Sequence, residues 1–462
     1  MQILILQPFN YIMIISSWFG ENLREYKETI RIAYPVVLSQ FGHISVGVAD
    51  SIMVGGLGSV PLASATFAFS VFVPFMMFAM GLTYGISPLV AKADGEQNHG
   101  EIRKILKHSI VLNSIAAILL SGGLLLAAPL LHYFQQPQEV LSLAIPYFKI
   151  LVWSLVPLIL FQIWKQFAEG LAITRQAMYI TVIANVLNVL LNYLLIYGHW
   201  GFPELGTNGA AVATLISRIF MAVAIFIFVL NYSRTNIFVK GLQYISYSVE
   251  EFKRLFRVSI AVGAQMAFET GAFGMAAIMI GWLGASEMAA HHIALNMSAV
   301  SYMGATGIAA AATVRVGNAL GRKDYAAIGN AGKAAFHLVV FYMSICALIF
   351  ICFRHELPWF YINEESICKM AASLLLISAF FQLSDGIQVV FLGALRGLED
   401  VKMPTAIALL AYWIIALPLG YVFAFVLKMG VEGVWYGLLI GLTTAALMLY
   451  YRFGRKSKEL VG

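Results

Sequence analysis

The sequence predicts an all-α polytopic membrane protein, with twelve transmembrane helices in two pseudo-symmetric six-helix lobes that form a central cleft. Three observations predict this fold class: a strongly apolar composition, twelve apolar runs, and an internal repeat. Of the 462 residues, 60% are hydrophobic and only 11% are charged, whereas a soluble domain carries about 25% charged residues. This composition indicates that most of the chain lies within a membrane.

The apolar runs give the twelve predicted spans. Each run has about 20 residues, which is the length that an α-helix needs to cross the hydrocarbon core of a bilayer. With six spans in each half, both halves enter the membrane from the same side, so the repeat is a parallel one. We predict the spans at 34–54, 66–91, 108–131, 143–164, 178–199, 209–231, 258–281, 291–314, 335–353, 369–392, 404–427 and 433–452.

The internal repeat relates segments of the first half to segments of the second. The motif Val-Gly-Gly-Leu-Gly at 54–58 returns as Ile-Gly-Trp-Leu-Gly at 280–284. In the same register and without a gap, 90–95 falls on 316–321, and further along 168–171 faces 395–398 after a slip of one position. Two similar halves in a membrane chain are typical of transporters, because such halves can rock about a shared central site.

The basic residues predict the orientation of the chain. Of the 29 lysines and arginines, 24 lie before the first span or in loops on the same side of the membrane, and only Arg354, Lys369 and Lys428 lie in the opposite loops. The positive-inside rule therefore predicts that both termini are cytoplasmic. We expect an N-terminal segment at 1–30, an N-lobe at 31–231, a cytoplasmic linker at 232–257, a C-lobe at 258–452 and a cytoplasmic tail at 453–462.

The first residues do not have the pattern of a signal peptide. They are apolar but interrupted by Gln7, Pro8 and Asn10, and they lack a basic n-region and a small-residue cleavage site. We expect an interfacial segment or a start codon assigned too early rather than a thirteenth span.

Several function classes are disfavoured by the sequence. It contains no P-loop, HExxH or GxSxG motif, which argues against an ATP-driven pump and against a membrane enzyme. The net charge of +6 is spread between the spans, so it is not the basic patch of a nucleic-acid-binding protein. The cysteines at 346, 352 and 368 are too few and too widely spaced for a disulfide framework or a zinc site, and we expect them to be small buried hydrophobes.

Three acidic residues fall well inside predicted spans. A carboxylate in hydrocarbon costs several kcal/mol unless it is paired, protonated or hydrated. Glu269 lies 12 residues from Arg257 and Asp385 lies 11 residues from Arg396, so both are about 17 Å from the cytoplasmic boundary. This equal depth predicts one shared site near the midplane, whereas Asp50 belongs to the outer half of the first span.

Polar residues of the fifth and sixth spans lie at a depth similar to that of Asp50. Asn185, Asn188 and Asn192 fall on one helical face because of their spacing of three and four. Asn188, Asn192 and Thr214 could complete an oxygen shell with Asp50 for sodium, or hydrogen bonds around a proton site. Alternatively, these amides and hydroxyls only join helices to each other.

Four further polar residues of the predicted spans need an interpretation. His43 lies two turns before Asp50 on the same face and is either a proton relay or a structural histidine. His291 and His292 are expected at the outer interface. Arg218 either pairs with an acid or extends to the membrane surface.

Four motifs carry a resemblance to a known family. They are Pro35–Leu38 leading to 49–55, Ala290–Asn296, Val314–Gly321, and Gly393–Gly397 followed by Asp400. In this order they resemble the MATE family, the multidrug and toxic compound extrusion transporters, over residues from about 25 to 450. The resemblance implies twelve helices in two lobes around a V-shaped cleft.

The resemblance also implies roles for the acidic residues. Glu269 and Asp385 match the two acids that mark the NorM-type branch, and Asp50 matches the family's acid in the first helix, together with Asn188, Asn192 and Thr214. Branch members can have a tyrosine four residues before the acid of the tenth helix, where this chain has Phe381. This difference weakens the case for a sodium site in the C-lobe and leaves proton coupling or a differently built site.

The implied function is secondary multidrug efflux across a bacterial cytoplasmic (inner) membrane. Such an antiporter exports amphipathic, often cationic compounds in exchange for Na⁺ or H⁺, with Na⁺ bound at Asp50 or at Glu269 and Asp385. It is expected to be a lipid-embedded monomer with small-molecule substrates, no cofactor and no nucleic-acid partner. The alternative is a flippase for lipid-linked sugars, which would need a cationic cavity, and a membrane enzyme ranks third.

Overall fold

The computed structural model describes the backbone of residues 7–460, and within that range the side chains of all residues except 7–22, His43 and Ile44. The described part of the chain is helical and contains no strand. Twelve long helices follow one another: α1 (Gln7–Gly55), α2 (Ser59–Gly95), α3 (His99–Phe134), α4 (Gln138–Gly170), α5 (Arg175–Tyr197), α6 (Thr207–Asn231), α7 (Val249–Gly281), α8 (Ala285–Gly321), α9 (Tyr325–Phe353), α10 (Glu365–Gly397), α11 (Lys402–Val426) and α12 (Gly430–Glu459).

The twelve helices confirm the predicted architecture. Eleven of them are long and apolar enough to cross a membrane, counted over the described residues. The twelfth, α7, lies where the seventh span is predicted, and its first turns carry charged residues. Many helices are longer than the predicted spans because hydropathy detects only the part inside the membrane, whereas capping residues outside it determine where a helix begins.

Capping also shows that the repeat extends to the backbone. Asn98 precedes α3 and accepts a hydrogen bond from the backbone N–H of Glu101 at 3.0 Å, while Asp324 precedes α9 and accepts one from Ala327 at 3.1 Å. The residues before these caps, Gln97 and Lys323, have φ angles of 54° and 57°. Equivalent turns of the two halves therefore have the same unusual conformation.

The two halves also meet through reciprocal contacts. A side-chain carbon at Gly95 would lie 2.2 Å from the carbonyl oxygen of Asn318, and one at Gly321 would lie 2.0 Å from that of Lys92. Residues 92 and 318 are themselves repeat equivalents, as are 95 and 321. The lobes are therefore related by an approximate two-fold axis, and the contact between them requires glycine at both positions.

The lobes are joined at the end of the bundle that carries most of the lysines and arginines, which we call the basic face. There Arg315 of α8 donates to Thr29 of α1 at 2.6 Å, and Arg254 of α7 donates to Glu101 of α3 at 2.5 Å. Gln40 of α1 donates to Thr306 of α8 at 3.5 Å. Beyond this bond, towards the opposite face, no hydrogen bond between described residues joins the lobes, and α1 exposes Val48 and Ile52. The lobes thus enclose a cleft that is closed at the basic face.

The segment between the lobes is attached to α3. It contains a short helix, Ser233–Val239, and its last residues already belong to α7. Lys107 of α3 donates to the carbonyl oxygen of Ile245 at 2.6 Å, and His108 accepts from the backbone N–H of Ser248 at 2.9 Å. These bonds hold the connection against the N-lobe.

Helix α11 is irregular. It contains two π-helical stretches, Leu409–Ala416 and Val422–Val426, whereas its repeat equivalent α5 is a regular α-helix. Such wide turns are rare and often occur at functional sites. The first stretch carries Tyr412, which is fully buried in the C-lobe.

The predicted burial of the cysteines is only partly correct. Cys368 is buried, Cys346 is half-buried, and Cys352 is exposed on the surface of the bundle. The expectation is wrong for Cys352 because an apolar helix in a membrane protein has a face turned to lipid, and the apolar run does not reveal which face that is.

Candidate functional site

In the N-lobe, the four predicted residues form one hydrogen-bonded ring. Asn192 of α5 donates to a carboxylate oxygen of Asp50 of α1 at 2.5 Å, and Thr214 of α6 donates to the other oxygen at 3.5 Å. Asn192 also donates to Asn188 at 3.3 Å, and Asn188 donates to Thr214 at 3.5 Å. Three helices thus each contribute to one polar cluster around a single carboxylate.

The local sequence explains which residues of α5 enter this ring. Asn188 and Asn192 are four residues apart, so their side chains lie one above the other on the same face. Asn185 is one turn further along, where its amide nitrogen would lie 2.2 Å from a side-chain carbon at Gly42. Asn185 is therefore a packing contact between α5 and α1 and does not belong to the ring.

The ring contains an oxygen atom that no described residue satisfies. The side-chain oxygen of Asn192 is buried and accepts no hydrogen bond from any described residue. An unsatisfied buried acceptor is costly unless a ligand fills the site. Together with the carboxylate of Asp50 and the oxygens of Asn188 and Thr214, it forms a set of ligands that suits a small hard cation. Alternatively, a proton on Asp50 would neutralise the carboxylate without a bound cation.

Arg218 lies one turn from Thr214 and points into the N-lobe. It donates to the hydroxyl of Ser154 at 2.6 Å, and its guanidinium lies 5.8 Å from the centre of the Phe72 ring. Its charge acts on Asp50 electrostatically, although the two form no ion pair among the described contacts. The side chain therefore does not extend to the membrane surface.

In the C-lobe, Glu269 and Asp385 lie within electrostatic range of each other. Glu269 of α7 accepts a hydrogen bond from the hydroxyl of Tyr302 of α8 at 3.1 Å. Asp385 of α10 is 5% exposed, and no described side chain donates a hydrogen bond to it. The structure thus brings the two predicted acids together, and among the described side chains it provides a donor for only one of them.

Two tyrosines lie near these acids, and an aromatic cluster packs within the same lobe. The hydroxyl of Tyr412 is bonded to the amide of Gln388 at 2.7 Å, and both carboxyls act on it electrostatically. Phe381 is 2% exposed and its ring centre lies 6.3 Å from that of Phe273 and 5.9 Å from that of Trp435. Phe381 is part of this aromatic packing, and Tyr302 supplies a hydroxyl to the site from another helix.

Sequence reasoning missed Tyr302, Tyr412 and Gln388. Tyr302 and Tyr412 lie on helices other than those of the acids they approach, so no spacing links them to Glu269 and Asp385. Gln388 lies on α10, three residues after Asp385, and this spacing was not used. A signal was nevertheless present: tyrosines prefer the membrane interface, so a tyrosine in the middle of a span has a reason to be there. Tyr302 and Tyr412 both have this feature.

The structure describes the side chains of two of the three histidines that the sequence singled out. His291 is fully buried in the C-lobe and accepts a hydrogen bond from the indole N–H of Trp435 at 3.1 Å, whereas the neighbouring His292 is exposed. The expected position of this pair at the outer interface stays a prediction. The side chain of His43 lies outside the described residues, and its role as a relay stays a prediction.

Comparison with known proteins supports this architecture. The family model MatE matches the chain twice, at 35–194 and at 261–422, once in each half. The NorM multidrug resistance protein of Photobacterium profundum is 32% identical over 435 residues, covering 93% of this chain and 95% of that protein. The NorM protein of Vibrio parahaemolyticus serotype O3:K6 is 31% identical, covering 93% and 96%.

A solved structure shares the fold. It is described as the outward-facing conformation of a multidrug resistance MATE family transporter, and it superposes with a TM-score of 0.86 at 22% identity, covering 94% of this chain and 96% of that one. The family match on both halves and the identity over nearly the full length agree with the twelve-helix repeat. The chain therefore belongs to the MATE family, on the branch of the NorM multidrug resistance proteins.

Proposed function

We propose that this protein is a secondary active antiporter that expels amphipathic, often cationic compounds in exchange for Na⁺ or H⁺. The observation that carries the proposal is the N-lobe ring, in which Asp50 is surrounded by amide and hydroxyl groups and no described residue satisfies the side-chain oxygen of Asn192. The NorM relatives, which are named multidrug resistance proteins, support the class of substrate.

The N-lobe ring is the proposed site of the coupling ion. A cation would be held by the carboxylate of Asp50 and by the oxygens of Asn188, Asn192 and Thr214. Arg218 carries a fixed positive charge near the ring. Its repulsion would allow only one cation or one proton to bind at a time. A proton on Asp50 would neutralise the ring equally well, which leaves the choice of ion to experiment.

The C-lobe acids are the proposed attractor for the substrate. Glu269 and Asp385 provide negative charge, and Tyr412 lies close enough to both for their charges to act on its hydroxyl. Aromatic rings bind organic cations through their faces. A substrate that is both apolar and cationic would therefore bind here better than either a neutral compound or a small ion.

Movement of the lobes would couple the two sites. The positive-inside rule places the basic face in the cytoplasm, so the cleft is open to the outside, where it can release substrate and take up the ion. We propose that the moving units are the predicted N-lobe, 31–231, and the predicted C-lobe, 258–452, with 232–257 as their only covalent connection. We also propose that the protein is a monomer embedded in the inner membrane. By linkage, if the ion weakens substrate binding, the substrate weakens ion binding by the same factor.

The flippase alternative has less support. A flippase for a lipid-linked sugar would need positive charge in the central cleft to hold a diphosphate. Among the described residues, the two proposed sites hold three carboxylates, and two buried arginines act on them: Arg218, which is bonded to Ser154, and Arg396, which is bonded to Gln265. This charge balance favours a cationic substrate.

Efflux from proteoliposomes with the two gradients imposed separately tests the proposal. A sodium gradient or a pH gradient should drive export of a cationic dye, and Asp50→Asn should abolish export under the gradient that works. Dye movement that is the same with and without either gradient would contradict ion-coupled antiport.

A further inference from the structure

A cavity of about 540 Å³ lies at the basic face between α1 and α8, and it is rich in arginine. The loop after α4 and the start of α9 complete its wall. Two carboxylates, Glu28 and Asp94, also line it. The arginines come from five separate places in the chain: Arg31, Arg175, Arg234, Arg315 and Arg322.

Three of these arginines have no acidic partner among the described residues. Arg315 pairs with Glu25 and Glu28, and Arg234 pairs with Asp94 at 3.3 Å. By contrast, Arg31, Arg175 and Arg322 form no ion pair with any described residue, although the guanidinium of Arg175 lies 5.6 Å from the ring centre of Tyr34. The cavity therefore carries positive charge that the described part of the protein does not neutralise.

At the repeat-equivalent place in the molecule, between α7 and α2, two basic side chains share three carboxylates. Arg254 binds Glu101 at 2.5 Å, Glu399 at 3.3 Å and Glu251 at 3.4 Å. Lys92 also binds Glu399, at 3.2 Å. We call this ion-paired contact the α7–α2 seam and the contact with the arginine cavity the α1–α8 seam.

Two repeat-equivalent positions contribute a carboxylate to the α7–α2 seam but none to the α1–α8 seam. Ala327 is the repeat equivalent of Glu101, each in the first turn of its helix, and Ala172 is the repeat equivalent of Glu399. Ala172 and Glu399 have φ angles of 59° and 58°, so their loops have the same conformation. Both alanines line the cavity. The α1–α8 seam thus has arginines and open space where the α7–α2 seam has two carboxylates.

We propose that the arginine cavity binds a phosphate-bearing anion, which supplies the negative charge that Glu101 and Glu399 provide in the α7–α2 seam. Arginine forms strong, often bidentate hydrogen bonds with phosphate oxygens. The bound anion would connect α1 and the loop after α4, in the N-lobe, to α8, in the C-lobe. Because these walls meet only when the basic face is closed, the anion would favour that conformation.

Two sources of such an anion share this chemistry. The cavity lies level with the ends of the predicted spans, since Arg31 precedes the first span and Arg175 begins α5, and anionic lipid headgroups occupy that level in the inner leaflet. A free phosphorylated compound of the cytoplasm has the same charged group. The site differs from the proposed transport sites, and the inference does not depend on which ion or drug is transported.

Thermal unfolding of the purified full-length protein in a neutral detergent tests the proposal. Short-chain phosphatidylglycerol, short-chain phosphatidylcholine and inorganic phosphate are titrated separately at constant ionic strength. A ligand that binds only the folded protein raises the unfolding midpoint in a saturable manner. We expect saturation with phosphatidylglycerol alone if the source is a headgroup, and with inorganic phosphate as well if it is a free anion.

Pseudo-symmetry provides a matched control. Arg31→Gln with Arg175→Gln removes two charges from the cavity and should lower the apparent affinity about tenfold or more, since each lost bond is charge-assisted. Arg257→Gln with Lys402→Gln removes the two repeat-equivalent charges and should leave the affinity unchanged. Ala172→Glu with Ala327→Glu introduces the missing carboxylates, and this variant should be stable without anion and should no longer respond to it.

Two results would overturn the proposal. One is the absence of a saturable shift with either anion. The other is the same shift in the wild type, the cavity variants and the control pair, which would mean a general effect of anionic amphiphiles on the surface. If the arginine variants fail to fold, the two Ala→Glu substitutions decide the matter alone. Because no transport is measured, failure here is distinguishable from failure of the antiporter proposal.

Discussion

The two lobes have the same helical framework but different polar sites. In the N-lobe, one carboxylate, Asp50, accepts hydrogen bonds from two side chains of neighbouring regular helices. In the C-lobe, two carboxylates share an aromatic environment, and only Glu269 receives a hydrogen bond from a described side chain. A small ring of oxygens suits an inorganic ion, whereas paired acids among aromatic rings suit an organic cation.

The repeat shows how this difference is built. Glycines at contacts between backbones recur in both halves, as at 95 and 321. The acids do not recur: Ala276 stands at the repeat position of Asp50, His43 at that of Glu269, and Leu158 at that of Asp385. The halves thus share the residues that shape the lobes and differ in those that bind ligands, which is expected if the lobes have separate tasks.

The largest effect is expected from Asp50→Asn, which should abolish dye efflux by intact cells. The ring loses its only charge, while insertion becomes easier because a carboxylate is removed from hydrocarbon. Efflux is measured at matched amounts of membrane-inserted protein. Glu204→Gln, which removes an exposed acid on the opposite face, is the control and should retain full efflux. Normal efflux by Asp50→Asn would reject the N-lobe site.

The C-lobe site can be tested by combining Glu269→Gln with Asp385→Asn. If the two acids act as one unit, the double variant should be scarcely worse than the worse single variant, because groups that work together are not additive. Efflux rates of the three variants at equal expression provide the comparison. Losses that multiply would show that the acids have separate roles and that the lobes differ less than we propose.

A smaller effect is expected from Asn192→Ala. It removes a hydrogen bond to a charged group and one oxygen of the ring, so the concentration of coupling ion at half-maximal efflux should rise about tenfold. Asn185→Ala is the matched control, since Asn185 lies on the same helical face but contacts Gly42 outside the ring. Equal effects of the two substitutions would favour the alternative in which these amides only join helices.

The smallest effect is expected from Tyr302→Phe in the C-lobe. This change removes the one described hydroxyl bonded to Glu269, which is worth about 1 kcal/mol for a typical hydrogen bond. The apparent affinity for a cationic dye should change severalfold, while the maximal rate is retained. Tyr342→Phe, on α9 away from the acids, should have no such effect. A complete loss of efflux with Tyr302→Phe would mean that this hydroxyl takes part in the transport step itself.

The sequence predicts this fold well because composition and the repeat act over the whole chain. The N-lobe ring could also be predicted, since the spacing of Asn188 and Asn192 fixes a helical face and depth selects Thr214. The partners of the C-lobe acids could not be predicted, because Tyr302 and Tyr412 reach the site through the packing of separate helices. The asymmetry of the two seams was equally hidden: Ala172 and Ala327 have no notable feature until the structure places them beside arginines.

The most direct test of the division between the lobes is equilibrium binding of a fluorescent cationic dye to the purified protein, titrated with sodium and, separately, with pH. In the wild type, the affinity for dye should fall as sodium rises or as pH decreases, since either ion neutralises the carboxylates. Asp50→Asn should still bind dye through the C-lobe, but with a reduced response to the coupling ion. A wild-type affinity that is indifferent to both ions, or an unchanged response in Asp50→Asn, would contradict the account.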